Sequence, residues 1–121
     1  MIYGIGIDIV DISRVDFELS KKILGEKELQ IYHELKKPDR KKEFLAGRFA
    51  AKEAFFKALK LGIGKISFKE VQIVYDKEMG NPEILIQGDS KTLMEQLGLS
   101  NFHISITHEK NYAVAVVVVE K

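Results

Sequence analysis

"GRFAAKEAFFKAL" occupies residues 47–59, and whether it is helix or strand decides the fold. No proline interrupts residues 39–61, Gly47 is the lone glycine inside them, and alanine, the strongest helix former, recurs throughout. The pattern predicts one long helix over 39–61. Arg48, Glu53 and Lys57 sit among residues that favour a dry environment. At about 100° per residue, Glu53, Lys57 and Lys60 share one side of that helix. Ala46, Ala50 and Ala54 border it, and such small residues let another element approach the backbone. Arg48 and Lys52 fall on a different side, together with Lys41. A Glu–Lys pair four residues apart is also an ordinary feature of a solvated helix, contributing roughly 0.2–0.5 kcal/mol. The helix alone leaves both readings open.

Working outward, "IYGIGIDIV" (2–10) alternates with period two. Tyr3, Ile5, Ile7 and Ile9 form one face of a predicted strand, and Gly4, Gly6 and Asp8 the other. "DISRVDFELSKKIL" predicts a helix opened by a Ser13–Asp16 capping box and ended by Gly25. "EKELQIYHELKK" predicts a second helix ending near Pro38. After the long helix, "GIGK" (62–65) makes a turn. "SFKEVQIVYD" (67–76) and "EILIQG" (83–88) pair as a hairpin across "KEMGNP". "DSKTLMEQLG" reads as a short helix, with Asp89 or Ser90 at its start and Gly98 past its end. "NFHISITHE" and "YAVAVVVVE" are two further strands around a tight turn at 109–111. The order predicts a single α+β domain over residues 1–121, with helices packed on one face of an antiparallel sheet. The run Ala113–Val119 is apolar on both faces, so it is expected to be covered on both, one side by another subunit.

Composition removes several classes of function. The chain has 121 residues, with 19 basic against 18 acidic, so net charge implies no partner. No cysteine is present, which excludes disulfides and thiolate metal sites and fits a reducing cytoplasm. No stretch reaches the roughly 20 apolar residues of a membrane helix. The N-terminus has no basic region of the signal-peptide kind. Nucleic acid is not an expected partner, because the basic run is short and no recognition motif accompanies it.

Chemistry enters with Asp8. A carboxylate on an apolar strand is costly unless it is paired. It serves as a helix cap, as a salt-bridge partner, or as a ligand. "GIGID" lacks the third glycine and the spacing of a dinucleotide fingerprint. Two carboxylates from separate elements, with basic residues beside them, suggest a magnesium–phosphate site. Magnesium takes one or two protein carboxylates and fills its sphere with water and substrate phosphate. "KKPDRKK" (36–42) adds a basic run just before the long helix, which in isolation reads equally well as a solvated loop.

Three of these stretches together resemble a known family. "GIGIDIVDISR", "EFLAGRFAAKEAFFKAL" and "HISITHEKNYAVAVVVVE" are similar, in the same order, to the holo-acyl-carrier-protein synthases, the small single-domain class of 4′-phosphopantetheinyl transferases. The resemblance covers almost the whole chain. It implies transfer of the 4′-phosphopantetheine arm of coenzyme A to a serine of apo acyl carrier protein, in support of fatty acid biosynthesis. Adenosine 3′,5′-bisphosphate is the by-product. It further implies a requirement for Mg2+ and a homotrimer with active sites between subunits. By position, Asp8 and Glu53 become the metal carboxylates and Lys57 the lysine beside the pyrophosphate. Arg40, Lys41, Arg48, Gly62, Gly64, Ser105, Thr107 and His108 line the coenzyme site. Arg14 faces the acidic carrier protein, with Lys21 and Lys22 extending a positive strip.

The attacking serine would come from the carrier, so the chain needs no nucleophile of its own. Glu53, a metal-bound water or His108 would take its proton. From pattern alone, a structural role suits His103 and His108 equally well, and His33 is assigned none. Arg14 stands near the positive end of its helix and needs a negative partner, either Asp11, Asp16 or the carrier. Two other classes of function remain. A non-catalytic module would bind adenosine 3′,5′-bisphosphate, and a metal-dependent phosphohydrolase would direct water at the same bond.

Overall fold

The computed structural model describes residues 1–61 and 64–121. Their elements, in chain order, are β1 (Ile2–Asp11), α1 (Leu19–Ile23), α2 (Glu26–Glu34), α3 (Pro38–Leu59), β2 (Val71–Tyr75), β3 (Pro82–Ile86), α4 (Gly88–Gln96), β4 (Asn101–His108) and β5 (Tyr112–Glu120). β1, β5 and β4 form an antiparallel sheet in that spatial order, and β2 and β3 form a separate hairpin. The 22-residue α3 lies across one face of the three-stranded sheet. The architecture is the expected α+β arrangement.

Two glycines set the distance between α3 and the sheet. A Cβ on Gly6 would stand 1.9 Å from the carbonyl oxygen of Ala54, and one on Gly4 would stand 1.9 Å from that of Ala58. Only hydrogen fits there, so β1 rests directly on the helix backbone. The alanine side of α3 exists for this approach. Ala113, Ala115, Val117 and Val119 of β5 face the same way and are buried with Ala50, Ala54, Phe55 and Leu59. Tyr3 joins this inner side rather than the isoleucine row, because a register shift between Ile2 and Gly4 displaces it. Its hydroxyl donates to the Leu59 carbonyl at 3.5 Å.

The isoleucines point the other way. Ile5, Ile7 and Ile9 are 66%, 62% and 62% exposed. Val114, Val116 and Val118 lie opposite them in register on β5 and are half-buried. An apolar sheet face is therefore open along β1 and β5.

Several boundaries depart from the sequence expectation. Ser13 and Asp16 do not open a helix. Asp11 accepts the N–H and the hydroxyl of Ser13, closing a 3-10 turn over Ile12–Arg14, and α1 is only five residues long. Gly25 begins α2 instead of ending α1. Pro38 opens α3 as its first residue, where its missing N–H costs nothing. α3 stops at Leu59 because Lys60 turns left-handed, at φ 61°. Neither Asp89 nor Ser90 caps α4. The Glu70 carboxylate accepts the N–H groups of both, each at 3.2 Å, together with the Ser90 hydroxyl at 2.7 Å. Those hydrogen bonds, that of the Ser90 hydroxyl foremost, hold the Glu70 carboxyl below its ordinary range.

Candidate active site

Asp8 stands on the inner face of β1, two residues beyond Gly6, where β1 runs along α3. Lys57 reaches it from α3. Its ammonium donates to Asp8 Oδ1 at 3.1 Å and to the Ile7 carbonyl at 3.0 Å. Glu53 lies one helical turn before Lys57, half-buried. Desolvation and then the charge of Asp8 push the Glu53 carboxyl above its ordinary range, while Lys57 opposes the shift. The two carboxylates thus feel one another across a cleft of about 640 Å³ that both line. Val10, Val15, Leu19 and Phe49 give this cleft an apolar wall, and Arg14 and Lys22 alternate with Asp11, Asp16 and Glu18 along a rim of mixed charge.

This donor set suits a hard divalent cation. Two carboxylates held close, with their mutual repulsion only partly offset by one lysine, gain from a positive charge between them. Among the described residues no cluster of three or more His, Cys, Asp or Glu side chains is found.

A second recess lies toward the other end of α3. This groove of about 410 Å³ is lined by Arg40, Glu43, Arg48, Tyr75, Ile106 and His108. His108 Nδ1 is 3.2 Å from Glu43 Oε2. Glu43 precedes Glu53 by ten positions, which at about 1.5 Å per residue separates them by about 15 Å along the axis. Within one chain, His108 therefore does not meet Asp8 and Glu53.

The other expected site residues scatter. Ser105 and Thr107 project with His103 from the exposed face of β4, opposite to the α3 side where His108 meets Glu43. His103 Nε2 contacts Glu120 Oε1 at 2.5 Å, which gives it a structural partner. Lys41 donates to the Tyr32 carbonyl at 3.1 Å, with its ammonium over the Tyr32 ring. Arg14 is exposed, with Asp11 3.9 Å away as its internal counter-charge. Lys21 pairs with Glu18 on the surface. Gly64, exposed, has φ 98°. Gly62 lies outside the described residues.

Arg48 is only 4% exposed and belongs to a cluster that sequence reasoning missed. Its guanidinium donates to the Ile73 carbonyl at 3.1 Å and to the Tyr75 hydroxyl at 3.3 Å, and its Nε lies 3.7 Å from Glu28 Oε2. The fully buried Glu28 also accepts from the N–H of Gly25 at 3.0 Å, the N–H of Ile73 at 2.9 Å and Lys52 Nζ at 2.6 Å. Gln72 Oε1 caps the start of α2, accepting from Lys27 and Glu28. Most of Arg48 is thus committed inward. The available signal was Glu28 itself, a carboxylate set into the apolar stripe of Leu24, Tyr32 and Leu35.

Comparisons with known proteins agree with this geometry. The family model described as the 4′-phosphopantetheinyl transferase superfamily matches residues 4–117. A holo-[acyl-carrier-protein] synthase of Geobacillus kaustophilus is 47% identical over 100% of this chain and 91% of its own length. The crystal structure of the Neisseria meningitidis holo-[acyl-carrier-protein] synthase superposes with a TM-score of 0.88 at 37% identity, covering 100% of both chains. The Bacillus anthracis synthase, solved in complex with CoA (3′,5′-ADP), superposes with a TM-score of 0.80 at 41% identity, over 98% of this chain and 96% of that one. With a full-length match in sequence and in fold, the chain belongs to the holo-[acyl-carrier-protein] synthases of the 4′-phosphopantetheinyl transferase superfamily.

Proposed function

We propose that the enzyme transfers 4′-phosphopantetheine from coenzyme A to a serine of apo acyl carrier protein, with Mg2+ held by Asp8 and Glu53. The observation that carries this reading is the convergence of those two carboxylates on one open cleft, with Lys57 bonded to Asp8 beside it. When bound there, the magnesium ion supplies charge neutralisation of the diphosphate. The rest falls to the chain. Lys57 offsets charge on the leaving phosphate, from a position already fixed by Asp8 and the Ile7 carbonyl. The serine proton would pass to water oriented by the Glu53 carboxylate, or to His108 of a neighbouring copy. Val10, Val15, Leu19 and Phe49 supply apolar surface beside the reacting groups. Arg14, Lys21 and Lys22 are proposed to meet an acidic partner, which would compete with Asp11 and Glu18 for Arg14 and Lys21.

Arg40, Arg48 and His108 line the second groove, and the adenosine phosphates are assigned to it. Lys41, Gly62, Gly64, Ser105 and Thr107 are proposed as further coenzyme contacts from the family resemblance alone, Ser105 and Thr107 toward a coenzyme held by a neighbouring copy. The groove is displaced by about 15 Å along α3 from the carboxylates. One coenzyme therefore draws on both regions most simply when they come from neighbouring copies. The open face of Ile5, Ile7, Ile9, Val114, Val116 and Val118 supports such an assembly, and a homotrimer is proposed. The proposed setting is cytoplasmic fatty acid biosynthesis.

Intact-protein mass spectrometry of apo carrier protein, incubated with coenzyme A and Mg2+, tests the reaction. Added pantetheine mass that vanishes on chelation is the expected result. Coenzyme A cleavage without a carrier would indicate a phosphohydrolase, and binding of adenosine 3′,5′-bisphosphate without any reaction would indicate a non-catalytic module.

A further inference from the structure

Lys52 immediately precedes Glu53 and points in another direction. It is 0% exposed. Its ammonium carries three donors, and three oxygens from three separate segments receive them. These are the Ile23 carbonyl at the end of α1, Glu28 Oε1 in α2 at 2.6 Å, and the Phe68 carbonyl at 2.9 Å in the turn leading into β2. The hydrogen-bonding capacity of the side chain is complete, with no donor left for substrate.

α1 has little to hold it otherwise. It is five residues long and has no side-chain N-cap. A helix of that length does not persist without tertiary contacts. Ile23 and Leu24 anchor it by burial, and Lys52 ties its last carbonyl to α3. Yet α1 supplies Leu19 and Lys22 to the wall and rim of the Asp8–Glu53 cleft. One lysine on α3 thus fixes the far wall of the cleft relative to the carboxylate one residue further along. An apolar side chain of similar length would fill the space but withdraw one donor from each of three oxygens, leaving Glu28 Oε1 with the Gly25 N–H and the Phe68 carbonyl with the Val71 N–H, so the lysine serves orientation and not volume.

We infer that Lys52 is a positioning residue that holds α1 and the Phe68 turn against the helix bearing Glu53 and Lys57, and so sets the carrier-facing wall of the cleft. Its consequence for carrier binding rests on the proposed transferase reading, whereas its effect on the fold does not. Burial outweighs the attraction of Glu28 and holds the Lys52 ammonium down to about 8, as expected for an ammonium in a dry site.

The experiment compares the wild type with Lys52→Met and with Lys52→Met/Glu28→Gln. Lys52→Met leaves Glu28 facing Arg48 at 3.7 Å, whereas the double variant leaves Arg48 held by the Ile73 carbonyl and the Tyr75 hydroxyl alone, so the two variants separate loss of the Lys52 tie from loss of the buried carboxylate. Hydrogen exchange on the full chain is the first readout. Amides of residues 19–24 and 68–71 are expected to exchange about 10-fold faster or more, with β1, β5 and the remainder of α3 unchanged. Uniform acceleration, or none, overturns the inference. In transfer assays the double variant is expected to raise KM for apo carrier protein about 10-fold, with kcat within about 3-fold. A wild-type KM at matched thermal stability also overturns it. Should the wild type transfer nothing, the functional reading fails while the exchange pattern still decides the role of Lys52.

Discussion

Two charged clusters hang from the same helix, and the fold treats them in opposite ways. Glu28, Arg48 and Lys52 are buried, and their hydrogen bonds run to the main chain of Gly25, Ile73, Ile23 and Phe68. Asp8 and Glu53 face an open cleft, and Lys57 beside it is one lysine serving two carboxylates. The residue types are nearly identical. Direction on α3 separates them, because Lys52 and Glu53 are adjacent but about 100° apart. The buried cluster, satisfied except at Arg48 Nε, holds elements together. An under-neutralised cluster beside a cleft is poised for a cation and a phosphate.

The most damaging way to break the comparison is to push β1 off α3. Gly6→Ala places a methyl group on the Ala54 carbonyl, which neither backbone can evade. A loss of about 3 kcal/mol or more is expected, with loss of transfer, measured by denaturant unfolding and activity. Glu53→Gln should separate function from stability. Transfer is expected to fall about 10³-fold, while the thermal midpoint of the metal-free protein stays level or rises, since a repelling carboxylate has been removed. Glu28→Ala should do the reverse. Stranding Lys52 and Arg48 is expected to cost about 3–5 kcal/mol by denaturant unfolding, with activity retained in the folded fraction.

pH sharpens the contrast further. The folded-state value of Glu53 is raised above its unfolded value. Whatever stability its proton contributes is present at low pH and lost as pH climbs through the raised value. Once ionised, the carboxyl burdens the metal-free protein. Stabilisation by Mg2+, read as a shift in thermal midpoint, should be full above that range and fade as acid protonates Glu53. Lys52 carries the opposite kind of signature. Its folded value of about 8 lies below the ordinary 10.5, so the folded state sheds a proton that the unfolded chain keeps. Its contribution should therefore rise with pH between about 8 and 10.5, as the difference between wild type and Lys52→Met in thermal melts.

The long helix and the two hairpin-like pairs were legible because each is encoded locally. So were Asp8, Glu53 and Lys57 as a candidate set, through side-chain periodicity on β1 and α3. Period two divides β1 into an isoleucine face and a glycine face without saying which packs inward. Hydrophobicity alone points to the isoleucines. The glycines won because the alanine side of α3 needed backbone contact, which left the isoleucines on the exposed face. The Ser13–Asp16 capping box failed because Asp11 captured Ser13 first. Glu28 was missed because its partners Lys52 and Ile73 lie 24 and 45 residues away in sequence.

The central claim concerns a single ion and two carboxylates. Titrating the wild type, Asp8→Asn and Glu53→Gln with adenosine 3′,5′-bisphosphate and coenzyme A, each with and without Mg2+, tests it most directly by calorimetry. Coenzyme A should bind the wild type about 10-fold more tightly or better with Mg2+, and that gain should disappear in both variants. A Mg2+ effect that survives both substitutions would contradict the account.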